Sequence, residues 1–358
     1  MKFANVTFFS VIVLIGIANT ASIPSISDDN DRDRSSLDTL YPIIPERTQI
    51  PIRIPTYDTA LDNHKLSKRD ANTAKEINGT HPQLLSADST DEVFTASAEH
   101  RDRLVFHAKL TSIGYCDTVI TGGKFDCDQC SIIKKPHLVA TFNDVAHDTA
   151  GFIVRDDEEK KIYMSFRGAY YHQNPLEAIS VQQTRYAPVQ DALVATSSYD
   201  SYIEIQTLVI PMFAKELDAH PDYTLEVSGY SLGANTAIFA AMDLYQRERR
   251  ITADNLSIYN FGGFRPGNSV FASYVEGTGI PFQRVVQYRD AVPHYPPSVL
   301  GFSHAGTENW VSKDGNKVYI CKAELESAQC SNSALPAPDL SYHLRYLNVD
   351  MNVCGDSQ

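Results

Sequence analysis

The chain has 358 residues, a formal net charge of −13, 43% hydrophobic residues and 21% charged residues. This balance suits a globular protein with a full core and disfavours nucleic acid and anionic membrane surfaces as partners. After the N-terminus there is no further stretch of about twenty apolar residues, so no transmembrane segment is expected.

The first residues read as a secretory signal over 1–21. Lys2 gives the positive start, Phe8 to Ile17 the short apolar core, and Ala18 and Ala21 the small residues for cleavage. Ser22 to Ser67 is rich in Asp, Arg, Pro and Ser and reads as disordered or loosely structured. It ends at Lys68-Arg69, a dibasic pair followed by Asp70. The expected organisation is a signal peptide over 1–21, a pro-peptide over 22–69, and one domain over 70–358. Asn78-Gly79-Thr80 and Asn255-Leu256-Ser257 are N-glycan acceptor sequences.

Ser89-Thr90-Asp91-Glu92 resembles a capping box ahead of a helix running to about Ile113. The six cysteines are Cys116, Cys127, Cys130, Cys321, Cys330 and Cys354. An even count in a secreted chain favours disulfides, and six cysteines allow fifteen pairings. Proximity suggests Cys127–Cys130 and Cys321–Cys330, which leaves Cys116–Cys354. Cys127-Asp128-Gln129-Cys130 could also be half a zinc site, but no second C-x-x-C follows, so no metal and no cofactor are expected.

Strands are predicted at His137–Phe142, Gly151–Arg155 and Lys161–Phe166. A helix with Pro211 inside it is predicted from about Ser198 to Ala219. Then Tyr223 to Ser228 alternates as a strand, and Leu232 to Gln246 reads as a helix. Between them lies Gly229-Tyr230-Ser231-Leu232-Gly233, a G-x-S-x-G with a strand before it and a helix after it. A turn this sharp strains the serine backbone and requires very small residues two positions to either side. It lifts Oγ clear of the sheet and aims the first helical N–H groups at an oxygen bound beside it.

Further strands are predicted at Leu256–Phe261, Arg284–Tyr288 and Glu308–Val311. Strands alternating with helices imply a mostly parallel sheet covered on both faces, an α/β-hydrolase fold. A serine hydroxyl needs a base, and the chain order in this fold is Ser, then Asp or Glu, then His. Asp290 follows a strand end and is the acid expected. His294, His304 and His343 follow it, and His343, near Cys354, is the base expected. Leu232 N–H supplies one oxyanion donor, and the loop Phe166-Arg167-Gly168-Ala169 is the candidate for the second.

Taken together the chain resembles the secreted fungal class 3 lipases of the zygomycete triacylglycerol lipase type. The likeness rests on Phe166-Arg167-Gly168, the elbow, Asp243 to Glu248, Asp290 to Pro297, Gly301 to Gly306, the cysteine spacing and His343-Leu344-Arg345-Tyr346. It implies a Ser231–Asp290–His343 triad, an oxyanion hole from Ala169 and Leu232, and the same three disulfides. It also implies a lid after Ala169 that covers the site in water, with Tyr170, Tyr171, Pro175, Leu176 and Ile179 in it. Three departures stand out: Tyr230 where the family usually has His, Ala234 where it has Gly, and Ala169 where it has Ser or Thr. Losing one oxyanion donor can cost about 2.7–4 kcal/mol.

The expected function is a secreted ester hydrolase, a triacylglycerol lipase acting as a monomer on lipid or ester substrates with transient contact at an oil–water interface. Feruloyl-type esterase and phospholipase are alternatives within the fold. A secreted binding protein that kept the fold and lost useful activity is the alternative of another class, and Ala169 is the one feature that favours it.

Overall fold

A computed structural model describes residues 27–50, 92–170, 179–323, 325–335, 338–352 and 354. The signal sequence, Asn78, and the dibasic pair Lys68-Arg69 lie outside these residues, as do Tyr171, Pro175 and Leu176.

Among the described residues the order is helix α1 (Ser27–Leu40), strand β1 (Glu92–Thr95), helices α2 (Ala98–Ile113) and α3 (Asp117–Ile120), and strands β2 (Pro136–Asp144), β3 (Thr149–Asp156) and β4 (Lys161–Phe166). Short β5 (Gln183–Arg185) and β6 (Leu193–Ala195) lead into α4 (Thr196–Ala219), β7 (Thr224–Tyr230), α5 (Leu232–Arg247), β8 (Leu256–Phe261), α6 (Ser269–Gly277) and β9 (Phe282–Gln287). β10 (Thr307–Val311), β11 (Val318–Lys322), β12 (Arg345–Tyr346) and β13 (Val349–Asp350) complete the fold.

One nine-stranded sheet runs in the order β1-β11-β10-β9-β8-β7-β4-β3-β2. Its centre, β4-β7-β8-β9-β10, is parallel, and its flanks are antiparallel. Alternation within the strands covers both faces. Ile162, Met164, Phe166, Leu225 and Val227 pack with Val209, Phe213, Ile238 and Phe239 from α4 and α5. Tyr163 lies on the other face in a cluster with Leu110 and Ile113 of α2. This is an α/β-hydrolase sheet, with the parallel strand ends carrying the loops that matter.

Two expectations need correction. Glu92 belongs to edge strand β1, which pairs with β11, so the capping box at 89–92 is not the start of the helix. Ser97 caps α2 instead, its side chain accepting from His100 N–H. Within 22–67, residues 27–50 carry ordered structure: Leu37 and Ile44 are buried. Asp38 pairs with Arg247 at 2.7 Å. Arg47 donates to the carbonyls of Glu248 and Ile251 at 2.9 and 2.7 Å, and to that of Tyr245, beyond the end of α5 and within its last turn. The Tyr245 carbonyl is one of the acceptors a helix end leaves unpaired, and a cation at this end is favoured by the helix dipole.

Disulfides join Cys116–Cys354, Cys127–Cys130 and Cys321–Cys330. The first spans 238 positions and ties the end of α2 to the C-terminal segment. A cross-link closing so long a loop is worth about 4–5 kcal/mol in the chain-entropy description.

Below the elbow strand sits a buried charged group. Glu226 accepts from His107 Nε2 at 2.9 Å and from Arg103, and pairs with Lys161 at 3.1 Å. Burial opposes its ionisation, yet His107, Arg103 and Lys161 together hold its pKa down to about 2. Because the folded pKa lies below that of the unfolded chain, near 4.3, Glu226 contributes stability above the unfolded value and loses it as pH falls through about 2. Glu226→Gln should therefore cost about 3 kcal/mol at pH 7, the worth of the lost pKa shift, because Arg103 and Lys161 lose their counter-charge and His107 its acceptor. Urea unfolding at pH 7 and near pH 3 checks the sign: the gap between the parent and the variant should be wide at the first and clearly narrower at the second, closing only below about pH 2.

Candidate active site

β7 ends at Tyr230 and α5 starts at Leu232, leaving Ser231 alone at the turn with φ 55° and ψ −120°. The turn is made possible by its neighbours. A Cβ on Gly229 would lie 2.1 Å from Gly233 O, and one on Gly233 would lie 2.1 Å from Arg167 O. Only glycine fits at either place. Ser231 N–H donates to Phe261 O at 2.9 Å, which fastens the strained residue to β8.

Asp290 follows the C-terminal end of β9 and is fully buried. Its Oδ1 accepts from Val292 N–H at 3.0 Å. His343 lies in a short 3-10 turn, Leu340–Leu344, just before β12. Its Nδ1 is 2.8 Å from Asp290 Oδ2 and its Nε2 is 2.9 Å from Ser231 Oγ. With a carboxylate on Nδ1, that nitrogen carries the proton and Nε2 is left to accept from the serine hydroxyl. Ser231, His343 and Asp290 thus form one continuous line of hydrogen bonds, each buried to 8% exposure or less.

The other two histidines serve the loop after Asp290. His304 is buried, its Nε2 2.6 Å from Pro293 O, and burial pushes its pKa well below the usual value, so it stays neutral and donates there. His294 also has its pKa lowered by burial, and its carbonyl accepts from Arg265 at 2.6 Å. Arg265 binds Glu326 through two bonds of 2.8 Å and also reaches Pro296 O at 2.9 Å. Neither ring meets Ser231.

The loop after β4 reaches Ser231. A Cβ on Gly168 would stand 2.9 Å from Ser231 Cβ and 2.8 Å from Tyr115 Oη. Arg167 pairs with Asp148 at 2.8 Å and donates to Gly168 O at 2.7 Å. The Asp148 carboxylate also accepts from Tyr170 N–H at 2.7 Å. Both peptides flanking Ala169 are therefore held, and the 168–169 loop is fixed against Ser231. Tyr170 stacks on Tyr115 at 6.0 Å. Ile179 is buried in an apolar group with Leu232, Phe264, Val292 and Phe302, beside the elbow.

Sequence reasoning gave no role to three residues of this site. Tyr346 donates its hydroxyl to Asp290 Oδ2, the oxygen that also meets His343. Burial and the Asp290 charge raise its pKa well above the usual value, which keeps it a donor. Tyr230 and Asp148 are the others. The sequence marks Tyr346, three residues after His343, and Tyr230, as a departure from the family pattern; Asp148 carries no such mark, and its contacts cross between distant elements.

The model of the family described as "Lipase (class 3)" matches residues 163–300. The lipase of Rhizopus niveus is 39% identical over 270 residues, covering 75% of this chain and 69% of that protein. The lipase of Rhizomucor miehei is 32% identical over 335 residues, covering 90% of this chain and 92% of its own length. Among solved structures, a triacylglycerol lipase whose catalytic centre is formed by a serine protease triad superposes with a TM-score of 0.71 at 36% identity, over 74% of this chain and 100% of that one. With two relatives above 30% identity matched over most of their length, and the elbow and hydrogen-bond line just described, the chain belongs to the class 3 lipase family.

Proposed function

We propose that the protein is a serine triacylglycerol lipase, secreted and acting as a monomer. The observation that carries this reading is the line from Asp290 through His343 to Ser231. In the proposed reaction His343 Nε2 takes the Ser231 proton as Oγ attacks the ester carbonyl carbon. The carbonyl oxygen becomes an oxyanion, met by the N–H groups of Ala169 and Leu232. Asp290 offsets the charge that forms on the imidazolium. The same proton then passes to the leaving alcohol, and an acyl group remains on Ser231. Water enters, His343 acts as base again, and the fatty acid leaves. Tyr346, by donating to Asp290, restricts the carboxylate to the orientation His343 needs.

The lid reading covers Tyr170 to about Val181. Ile179 supports it, since it closes an apolar group beside Leu232. Val299, Leu300 and Leu344, on the loops after Asp290 and beside His343, are 88%, 53% and 63% exposed. Exposed apolar side chains next to a site favour a lipid surface as its partner. At about 25 cal/mol per Å2, a few such side chains supply only a few kcal/mol, so opening at an oil surface should be a shallow switch. The remaining proposals concern processing. Asn78 and Asn255 are glycan acceptors; Asn255 is partly exposed, its Nδ2 donating to Arg250 O at 2.7 Å. Residues 1–21 and 22–69 are removed as signal and pro-peptide.

Ser231→Ala and His343→Ala should each lower ester hydrolysis by several powers of ten. His294→Ala and His304→Ala should lower it far less. Rates on a soluble ester decide this, and the opposite ranking of the histidines would contradict the assignment. On glyceride esters of rising acyl length, activity should be measurable below the solubility limit and rise only modestly above it. Strong activity on soluble aromatic esters with none on long-chain glycerides would favour a feruloyl-type esterase. N-terminal sequencing of secreted enzyme should find Asp70; active enzyme starting near residue 22 would rule out obligatory processing.

A further inference from the structure

Tyr230 occupies the position immediately before the nucleophile, yet the reaction above gives it no part. It is 5% exposed. Its hydroxyl donates to the backbone carbonyl of His343 at 2.8 Å. Its ring lies against the His343 ring, with centroids 4.9 Å apart and planes 30° apart. The Tyr346 ring meets it edge-on at 6.2 Å, and the Tyr115 ring packs on it at 6.4 Å. Among the described residues, the groups facing His343 include Asp290 at Nδ1, Ser231 at Nε2, Tyr230 on one ring face and at the carbonyl, the Gly262 backbone, and Tyr346 at 6.5 Å.

This arrangement closes a circuit. The base meets Ser231 through its side chain, and it meets residue 230 through its main chain. Residues 230 and 231 are covalent neighbours at the most constrained turn of the fold. His343 itself sits on a 3-10 turn, a short element with weak internal hydrogen bonding. The Nε2–Oγ separation would otherwise depend on that turn and on Asp290. Burial, with Tyr115 and Asp290 nearby, keeps the Tyr230 phenol protonated and therefore a donor.

We infer that Tyr230 is a positioning residue that acts through His343, fixing the base at hydrogen-bond distance from the nucleophile by holding its main-chain carbonyl and one face of its ring. The inference rests on the triad reading. It predicts a loss in the chemical step and not in substrate binding, because Tyr230 is directed at the base.

The test uses four enzymes: the parent, Tyr230→Phe, His343→Ala and the double variant. Initial rates on a water-soluble p-nitrophenyl ester give kcat and KM, expressed per folded molecule from near-UV circular dichroism. Tyr230→Phe keeps the ring and removes one hydrogen bond, so kcat should fall about 3- to 10-fold with KM within about twofold of the parent. In the His343→Ala background the same change should alter the residual rate by less than about twofold, because the group it positions is gone. A fall in kcat of less than threefold in the parent background overturns the inference, as does an equal proportional loss in both backgrounds or a loss confined to KM. If His343→Ala itself keeps near-parent activity, the triad reading fails instead, and the two failures are told apart.

Discussion

The backbone of Ser231, bent to φ 55° between a strand and a helix, is the constraint on which the rest of the site depends. A residue held in so sparsely populated a conformation costs about 1–3 kcal/mol and persists only when its surroundings over-determine it. Here they do. Gly229 and Gly233 touch each other's backbones, β8 accepts the Ser231 N–H, and the helix begins on the next residue. The closeness of Gly233 to Arg167 O couples the elbow to the loop after β4. Ser231 and the loop carrying Ala169 are therefore one packed unit, and a side chain at either glycine would push them apart.

Onto this unit the fold brings a histidine from far along the chain. His343 is 112 residues from Ser231 and 53 from Asp290. No local preference places it. It is placed by its bonds to Asp290 and Ser231, by Tyr346 and Tyr230 around it, and by a C-terminal segment tied to α2 through Cys116–Cys354. Gly262 makes room for it: a Cβ there would stand 2.9 Å from His343 Cε1 and 2.6 Å from Tyr346 Oη. The buried pair of Arg284 with Glu308, at 3.0 Å, and the Arg265–Glu326 clamp stiffen the neighbouring strands and the loop after Asp290. The polar interior on this side thus serves to hold geometry, with few groups left to move.

The legible parts of the fold were those set by short-range pattern. β4 and β8 match the expected Lys161–Phe166 and Leu256–Phe261 because short apolar and aromatic runs specify them locally. The elbow announced itself because its chemistry requires two glycines at fixed spacing around a serine. What composition hid is set by distant partners. Glu92–Thr95 looked like the approach to a helix, and its strand character comes from β11, more than two hundred residues away. The acidic run over residues 28–34 looked disordered, yet the helix containing it is held at its other end by Leu37 and Asp38, and Arg47 follows at the end of α5. Three histidines follow Asp290; the sequence favours His343 through its closeness to Cys354, and tertiary packing brings its ring to Ser231 while His304 and His294 serve the loop after Asp290. Tyr230 was read as a departure from the family pattern, and its contact with His343 could not be inferred from a neighbouring serine.

The central claim is that Ser231 becomes covalently acylated with His343 as its base. Rapid acid quench during turnover of an ester with a good leaving group and a slowly hydrolysed acyl group, so that the acyl-enzyme accumulates, followed by digestion and mass spectrometry, tests it most directly. The account predicts one acyl adduct, on the peptide containing Ser231, which does not form in His343→Ala on the same timescale. Turnover with no adduct on Ser231, or an adduct on another residue that rises and falls with product formation, would contradict it.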